Sequence, residues 1–174
     1  GPRHARIYSV ADGKTWRLKA TPDENGGIIG WTPDGKNVLW SEANRTLSSV
    51  YLLSADGKMI TEWNKGSKEF IGTLSLNSTG THLAFVLQNP SQLPEGYIST
   101  LASFSPVKIT SINAALAGKP LPRTEVIKWK GADGKEIEGL LTYSLNYKSG
   151  QKVPFILNVH GGPAGVFTQT CVAA

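Results

Sequence analysis

The sequence has a single cysteine, Cys171, and only three histidines, His4, His82 and His160. One cysteine excludes an internal disulfide bond. The histidines are widely spaced, so no cluster with the spacing of metal ligands can be found along the chain. We therefore expect no metal ion and no cofactor.

Long apolar runs and runs of one charge are also missing. No window approaches the ~20 apolar residues of a membrane-spanning helix, so no membrane span is predicted. The net charge is +5, from 18 basic and 13 acidic residues, but the basic residues are scattered among the acids. This pattern predicts no nucleic-acid-binding surface. Apolar residues make up 40% of the chain, enough for the core of one domain or of parts of two. The cellular compartment stays open.

Short turns containing glycine recur along the first two thirds of the chain. The tetrapeptide Ala-Asp-Gly-Lys occurs at 11–14 and again at 55–58, each time between two strand-like segments. A second pair, 31–40 and 76–85, keeps nearly the same interval. Asp-Gly supplies the positive φ angles of a tight hairpin turn. The pattern predicts antiparallel hairpins that repeat about every 45 residues.

An interval of this length that contains four short strands is typical of a blade of a β-propeller. We therefore predict that residues 1–120 form about two and a half blades. Exposed sheet edges on such a piece would favour association. The expected residues for packing between sheets are Trp31, Trp40, Trp63, Phe70 and Phe85.

Beyond residue 88 the repeat becomes less regular. Residues 89–96, which include two prolines, are predicted to form a loop, and residues 112–117 a short helical turn. Residues 118–123 form the best candidate for a domain boundary. After them, two alternating segments around Asp133-Gly134 predict a separate antiparallel hairpin.

The stretch from Pro154 to Pro163 carries the clearest functional signal. Phe155–Val159 is a short apolar run between two breakers, which predicts a strand buried on both faces. His160, Gly161, Gly162 and Pro163 follow as a turn, and Pro163 disfavours the right-handed helical conformation for Gly162. The Gly162 N–H is then free to face an anionic oxygen, as in an oxyanion hole. The alternative is a glycine turn that only closes a strand.

Residues 125–141, a polar turn and residues 153–165 together resemble the entry to the catalytic domain of prolyl oligopeptidase-family serine peptidases. The acylaminoacyl-peptidase and dipeptidyl-aminopeptidase-like branch is the most similar. The resemblance implies a mainly β fold, with the last blades of a β-propeller in residues 1–120. The first strands of an α/β-hydrolase domain would follow in residues 121–174.

The resemblance also implies residue roles and a substrate class. Gly162 would donate its backbone N–H to the substrate carbonyl oxygen, and His160, Gly161 and Pro163 would shape that loop. His160 is not expected to be the catalytic base, because the base follows the nucleophile in the α/β-hydrolase chain order. The parent enzyme would act on short peptides.

The sequence departs from the family pattern in one respect: it contains no Gly-x-Ser-x-Gly motif. The nucleophile, acid and base are all absent, so we expect a fragment that is inactive alone. Two alternatives remain, a non-catalytic propeller binding protein and an α/β-hydrolase relative that has lost its triad. The sequence does not distinguish dipeptidyl, acylaminoacyl or internal cleavage.

Overall fold

The computed structural model describes residues 3–162 and 165–172, and this part of the chain is mainly β. The only helical element in these residues is a 3-10 turn at Ala114–Leu116. The strands are β1 (Arg6–Tyr8), β2 (Thr15–Arg17), β3 (Gly27–Trp31), β4 (Asn37–Asn44), β5 (Leu47–Ser54), β6 (Ile60–Glu62), β7 (Phe70–Leu76), β8 (His82–Asn89), β9 (Gln92–Thr100), β10 (Val107–Lys108), β11 (Thr124–Lys130) and β12 (Glu136–Thr142).

Ten of the strands form one hairpin and two four-stranded sheets. Strands β1 and β2 pair with each other, β3 to β6 form the first sheet in chain order, and β7 to β10 form the second. Every pairing within them is antiparallel. Strands β4 and β5 begin at residues 37 and 47, and β8 and β9 begin at residues 82 and 92, so the predicted interval of 45 residues is kept.

The hairpin turns form because an Asp side chain and a following glycine favour them locally. At the β3–β4 turn the carboxylate of Asp34 accepts the N–H of Lys36 at 3.0 Å, and Gly35 has a φ of +66°. Asp56, Gly57 and Lys58 repeat this geometry at the β5–β6 turn. A side chain that bonds the backbone two residues on, next to a residue at positive φ, closes a tight hairpin.

The core lies between the sheets because both faces of the central strands are apolar. On β4, Val38 and Trp40 face the β1–β2 hairpin, whereas Leu39 faces the second sheet. Alternate residues of a strand point to opposite faces, so one strand serves two cores. The buried residues of the larger core are Leu39, Val50, Trp63, Ile71, Leu83, Phe85 and Leu87.

The aromatic packing predicted from the sequence is confirmed for Trp40, Trp63 and Phe85, which are all buried. The rings of Trp63 and Phe85 meet edge to face at a centroid distance of 5.7 Å. The prediction is wrong for Trp31, which is 48% exposed. Trp31 is the last residue of β3, an edge strand of the first sheet.

The predicted loop at residues 89–96 is also wrong for most of its length. Only residues 90 and 91 form the turn, because β9 already begins at Gln92. Pro94 is accommodated where the register between β8 and β9 shifts, and a bulge is a place where a strand tolerates a residue without an N–H. The predicted hairpin is confirmed as β11 paired antiparallel with β12.

The buried strand predicted at Phe155–Val159 is not present in the structure. These residues have no regular structure, and Ile156 and Leu157 are 88% and 75% exposed. A strand buried on both faces needs a paired neighbour and a covering layer on each face. Within the described residues, β11 and β12 pair only with each other, so no such neighbour reaches this segment.

Candidate functional site

The predicted loop lies on the surface after the extended segment 153–159. His160, Gly161 and Gly162 are exposed. Gly162 has a φ of +73°, outside the right-handed helical region, as its place before a proline predicted. Pro163, the fourth residue of the predicted loop, lies outside the described residues.

Gly162 is exposed, and the space on its Cα where a side chain would lie is empty of the described residues. No heavy atom lies within 4 Å of the position that a Cβ would occupy on this residue. Within residues 3–162 and 165–172, no hydrogen bond engages its N–H. A backbone donor that is exposed and unpaired is available to an incoming oxygen, whereas one inside a strand ladder is not.

The residues after the loop fold back onto it. Gly165 lies so close that a Cβ added there would come within 2.5 Å of the Gly161 carbonyl oxygen. The ring of Phe167 meets the imidazole of His160 edge to face, with centroids 5.6 Å apart. The Nδ1 atom of His160 is 3.4 Å from the Gly161 oxygen. The imidazole therefore lies between the Gly161 carbonyl and the ring of Phe167.

The same returning segment is bonded to both four-stranded sheets. The N–H of Gln169 donates to the Thr46 carbonyl oxygen at 2.7 Å, and its side-chain Nε2 donates to Thr46 Oγ1 at 2.8 Å. Further along, the N–H of Cys171 donates to the side-chain oxygen of Gln88 at 3.1 Å. Sequence reasoning missed these partners because 123 residues separate Gln169 from Thr46 and no local pattern marks the pair.

An ion-pair network connects the same β4–β5 turn to the β11–β12 hairpin. The guanidinium of Arg45 lies 2.5 Å from the carboxylate of Glu138 and 3.4 Å from that of Glu136. The ammonium of Lys128 contacts the same two carboxylates at 3.1 Å and 3.0 Å. The hydrogen bonds to these carboxylates raise the pKa of Lys128, so the ammonium stays charged.

A groove of about 550 Å³ lies beside β9 and β10. Its floor includes Glu95, whose carboxylate accepts the hydroxyl of Thr110 and the N–H groups of Ile112 and Asn113 at 3.1 and 3.0 Å. The hydrogen bond from Thr110 and then those backbone donors hold the pKa of Glu95 below its usual value. This carboxylate is fully engaged in fixing the chain between β10 and the 3-10 turn.

The described residues contain no group of three or more His, Cys, Asp or Glu side chains placed to bind a metal ion. Among the same residues, no helix has the length and apolar character needed to cross a membrane.

Two comparisons with known proteins give relatives of this chain. No protein-family model matches it. It is 27% identical over 168 residues to a probable dipeptidyl-peptidase 5 of Aspergillus clavatus, which covers 91% of this chain and 22% of the fungal protein. A protein of the same name from Aspergillus niger is 24% identical over 166 residues. The chain thus spans about a fifth of the length of these relatives and is their distant homologue.

Among solved structures, the chain is similar to the AtxE2 isopeptidase bound to astexin3-dC4. The TM-score is 0.64 with 14% sequence identity, and the match covers 82% of this chain and 22% of that one. At this identity the likeness shows a shared fold. The sequence relatives and the structural neighbour are all named as peptidases.

Proposed function

We propose that this chain is part of a prolyl oligopeptidase-family serine peptidase that hydrolyses short peptides by acyl transfer. Residues 1–120 would be the last blades of its β-propeller, and residues 121–174 the start of its α/β-hydrolase domain. Two observations support this assignment: homology to peptidases along nine tenths of the chain, and four-stranded sheets that repeat every 45 residues.

In this proposal the N–H of Gly162 is one donor of the oxyanion hole, and His160, Gly161 and Pro163 hold it in place. The observation that carries the proposal is an exposed amide, at a φ of +73°, with no hydrogen-bond partner among the described residues. A downstream serine would attack the scissile carbonyl while a downstream histidine moves the proton. As negative charge develops on the carbonyl oxygen, the amide would stabilise it, and such a donor contributes about 2.7–4 kcal/mol.

The 174-residue chain alone is expected to be inactive. It has no Gly-x-Ser-x-Gly motif, so no nucleophile would sit opposite the donor. A fluorophosphonate probe labels activated serines and tests this directly. We expect no labelling of the isolated chain and labelling of the parent protein; labelling of the isolated chain would contradict the assignment.

The role of Gly162 is tested by Gly162→Ala in the parent protein. An L-residue at this φ costs about 1–2 kcal/mol, and relief of the strain turns the N–H away from the substrate. We expect kcat for a dipeptide amide substrate to fall about 10²–10³-fold. Gly150→Ala is the matched control, because Gly150 also has a positive φ, +84°, and open space around it. It should lose similar stability and keep kcat; equal kcat in both variants would refute the role.

One observation favours the alternative of a non-catalytic propeller that binds its partners. Residues 155–159 form no strand in the structure, whereas a hydrolase sheet requires one there. The two functions differ in whether the full-length protein hydrolyses peptides. A binding protein would bind peptides without hydrolysing them, and its full-length form would resist the fluorophosphonate probe.

A further inference from the structure

A two-point clamp joins the segment after the glycine loop to the tip of the β4–β5 hairpin. Thr46 accepts hydrogen bonds from both the main chain and the side chain of Gln169, at 2.7 and 2.8 Å. Two hydrogen bonds to Thr46 fix the orientation of Gln169 as well as its position. Thr46 is only 7% exposed, so water competes little for these bonds.

The hairpin tip is a rigid support for this clamp. Strands β4 and β5 pair along their whole length, up to Asn44 opposite Leu47. The Asn44 side chain also donates to the hydroxyl of Ser49 at 2.9 Å. Both strands pass through the buried core of the first sheet. The position of Thr46 is therefore set by two fully paired strands that run through the core.

Two contacts link the segment that holds Gln169 to the loop at residues 160–162. Phe167, two residues before Gln169, packs on the imidazole of His160. Gly165 lies against the carbonyl of Gly161, the residue that precedes the donor amide. If the clamp opened, Phe167 and Gly165 would be free to leave these positions, and the Gly162 amide would lose its support.

We propose that Thr46 and Gln169 are positioning residues for the Gly162 amide, and this inference rests on the proposed function. Neither side chain touches the substrate; both act through residues 165–167 on the loop. The oxyanion forms in the transition state and not in the bound substrate. A misplaced donor should therefore lower kcat and leave KM nearly unchanged.

The test uses the full-length parent enzyme with Thr46→Val, which keeps the side-chain shape and removes Oγ1. We expect kcat to fall about 10-fold, KM to change less than 2-fold, and affinity for a peptide aldehyde, which forms a tetrahedral adduct, to fall in parallel with kcat. Thr46→Ser restores the hydroxyl and should restore kcat to within 3-fold. The matched control is Thr61→Val, on the exposed face of β6, which should keep wild-type kcat.

A double-mutant cycle with Gln169→Ala separates positioning from general loss of stability. If the two side chains act through one bond, the double variant should have about the same kcat as either single variant. Independent effects that multiply would overturn the inference, as would a kcat for Thr46→Val equal to wild type or a rise in KM alone. A wild-type parent that neither hydrolyses peptides nor reacts with fluorophosphonate would instead refute the proposed function, and the inference with it.

Discussion

The strongest test of the fold concerns the Ser48 hydroxyl, which bonds the edge of β7 where no further strand pairs with it among the described residues. Ile71 lies on β7, an edge strand, and its N–H and C=O point away from β8. The hydroxyl of Ser48 accepts that N–H and donates to that C=O, both at 2.8 Å. Ser48 is 7% exposed and Ile71 is 2% exposed, so water cannot take over these bonds without opening the contact.

The variant Ser48→Ala leaves both backbone groups of Ile71 buried and unpaired. Each unsatisfied group costs about 1–3 kcal/mol, and partial entry of water lowers the sum, so we expect a loss of about 2–4 kcal/mol in the free energy of unfolding. With a urea m-value of about 2 kcal/mol/M, the unfolding midpoint should fall by about 1–2 M.

Tryptophan fluorescence reports this transition, since Trp40 and Trp63 are buried in the two cores. The control is Ser75→Ala, because Ser75 is an exposed serine on β7, the strand that contains Ile71. For this variant we expect a change in the free energy of unfolding within about 0.5 kcal/mol. Equal midpoints for Ser48→Ala and Ser75→Ala would refute the reasoning that Ser48 satisfies the edge of β7.

Three further predictions follow from the charged and thiol groups. Because the pKa of Glu95 is lower in the folded protein, the Glu95 carboxylate should stabilise the fold above about pH 4.5, and this stabilisation should be lost as the pH falls further. Glu95→Gln should therefore flatten the acid side of a plot of Tm against pH. An acid side unchanged from wild type would contradict this role of Glu95. Burial raises the pKa of the Cys171 thiol, so iodoacetamide should modify it more slowly at pH 7 than after denaturation in urea, and equal rates would show an open site. Arg45→Gln should make the β11–β12 hairpin more sensitive to limited proteolysis at low salt. The difference from wild type should shrink in 1 M NaCl, because the Arg45 side chain that pairs with Glu138 and Glu136 is exposed to the salt solution.

Local chemistry was sufficient to predict the repeating part of the fold. The Asp-Gly turns at 12–13 and 56–57 depend on a side chain and a φ angle within a few residues, and both form as predicted. The alternating segments around Asp133-Gly134 likewise pair in the predicted hairpin. The glycine loop at 160–162 was identified from its own residues, and Gly162 has the expected backbone conformation.

The amino-acid sequence by itself determined where the chain turns and which faces of its strands are apolar, because these properties depend on neighbouring residues. Tertiary structure alone decided which distant residues meet: Gln169 reaches Thr46 across 123 residues, and Ser48 reaches Ile71 across 23. It also decided that residues 155–159 form no strand, since an apolar run becomes a buried strand only where other strands pair with it and layers cover its faces. Such contacts depend on how distant segments pack, which no periodicity in the sequence records.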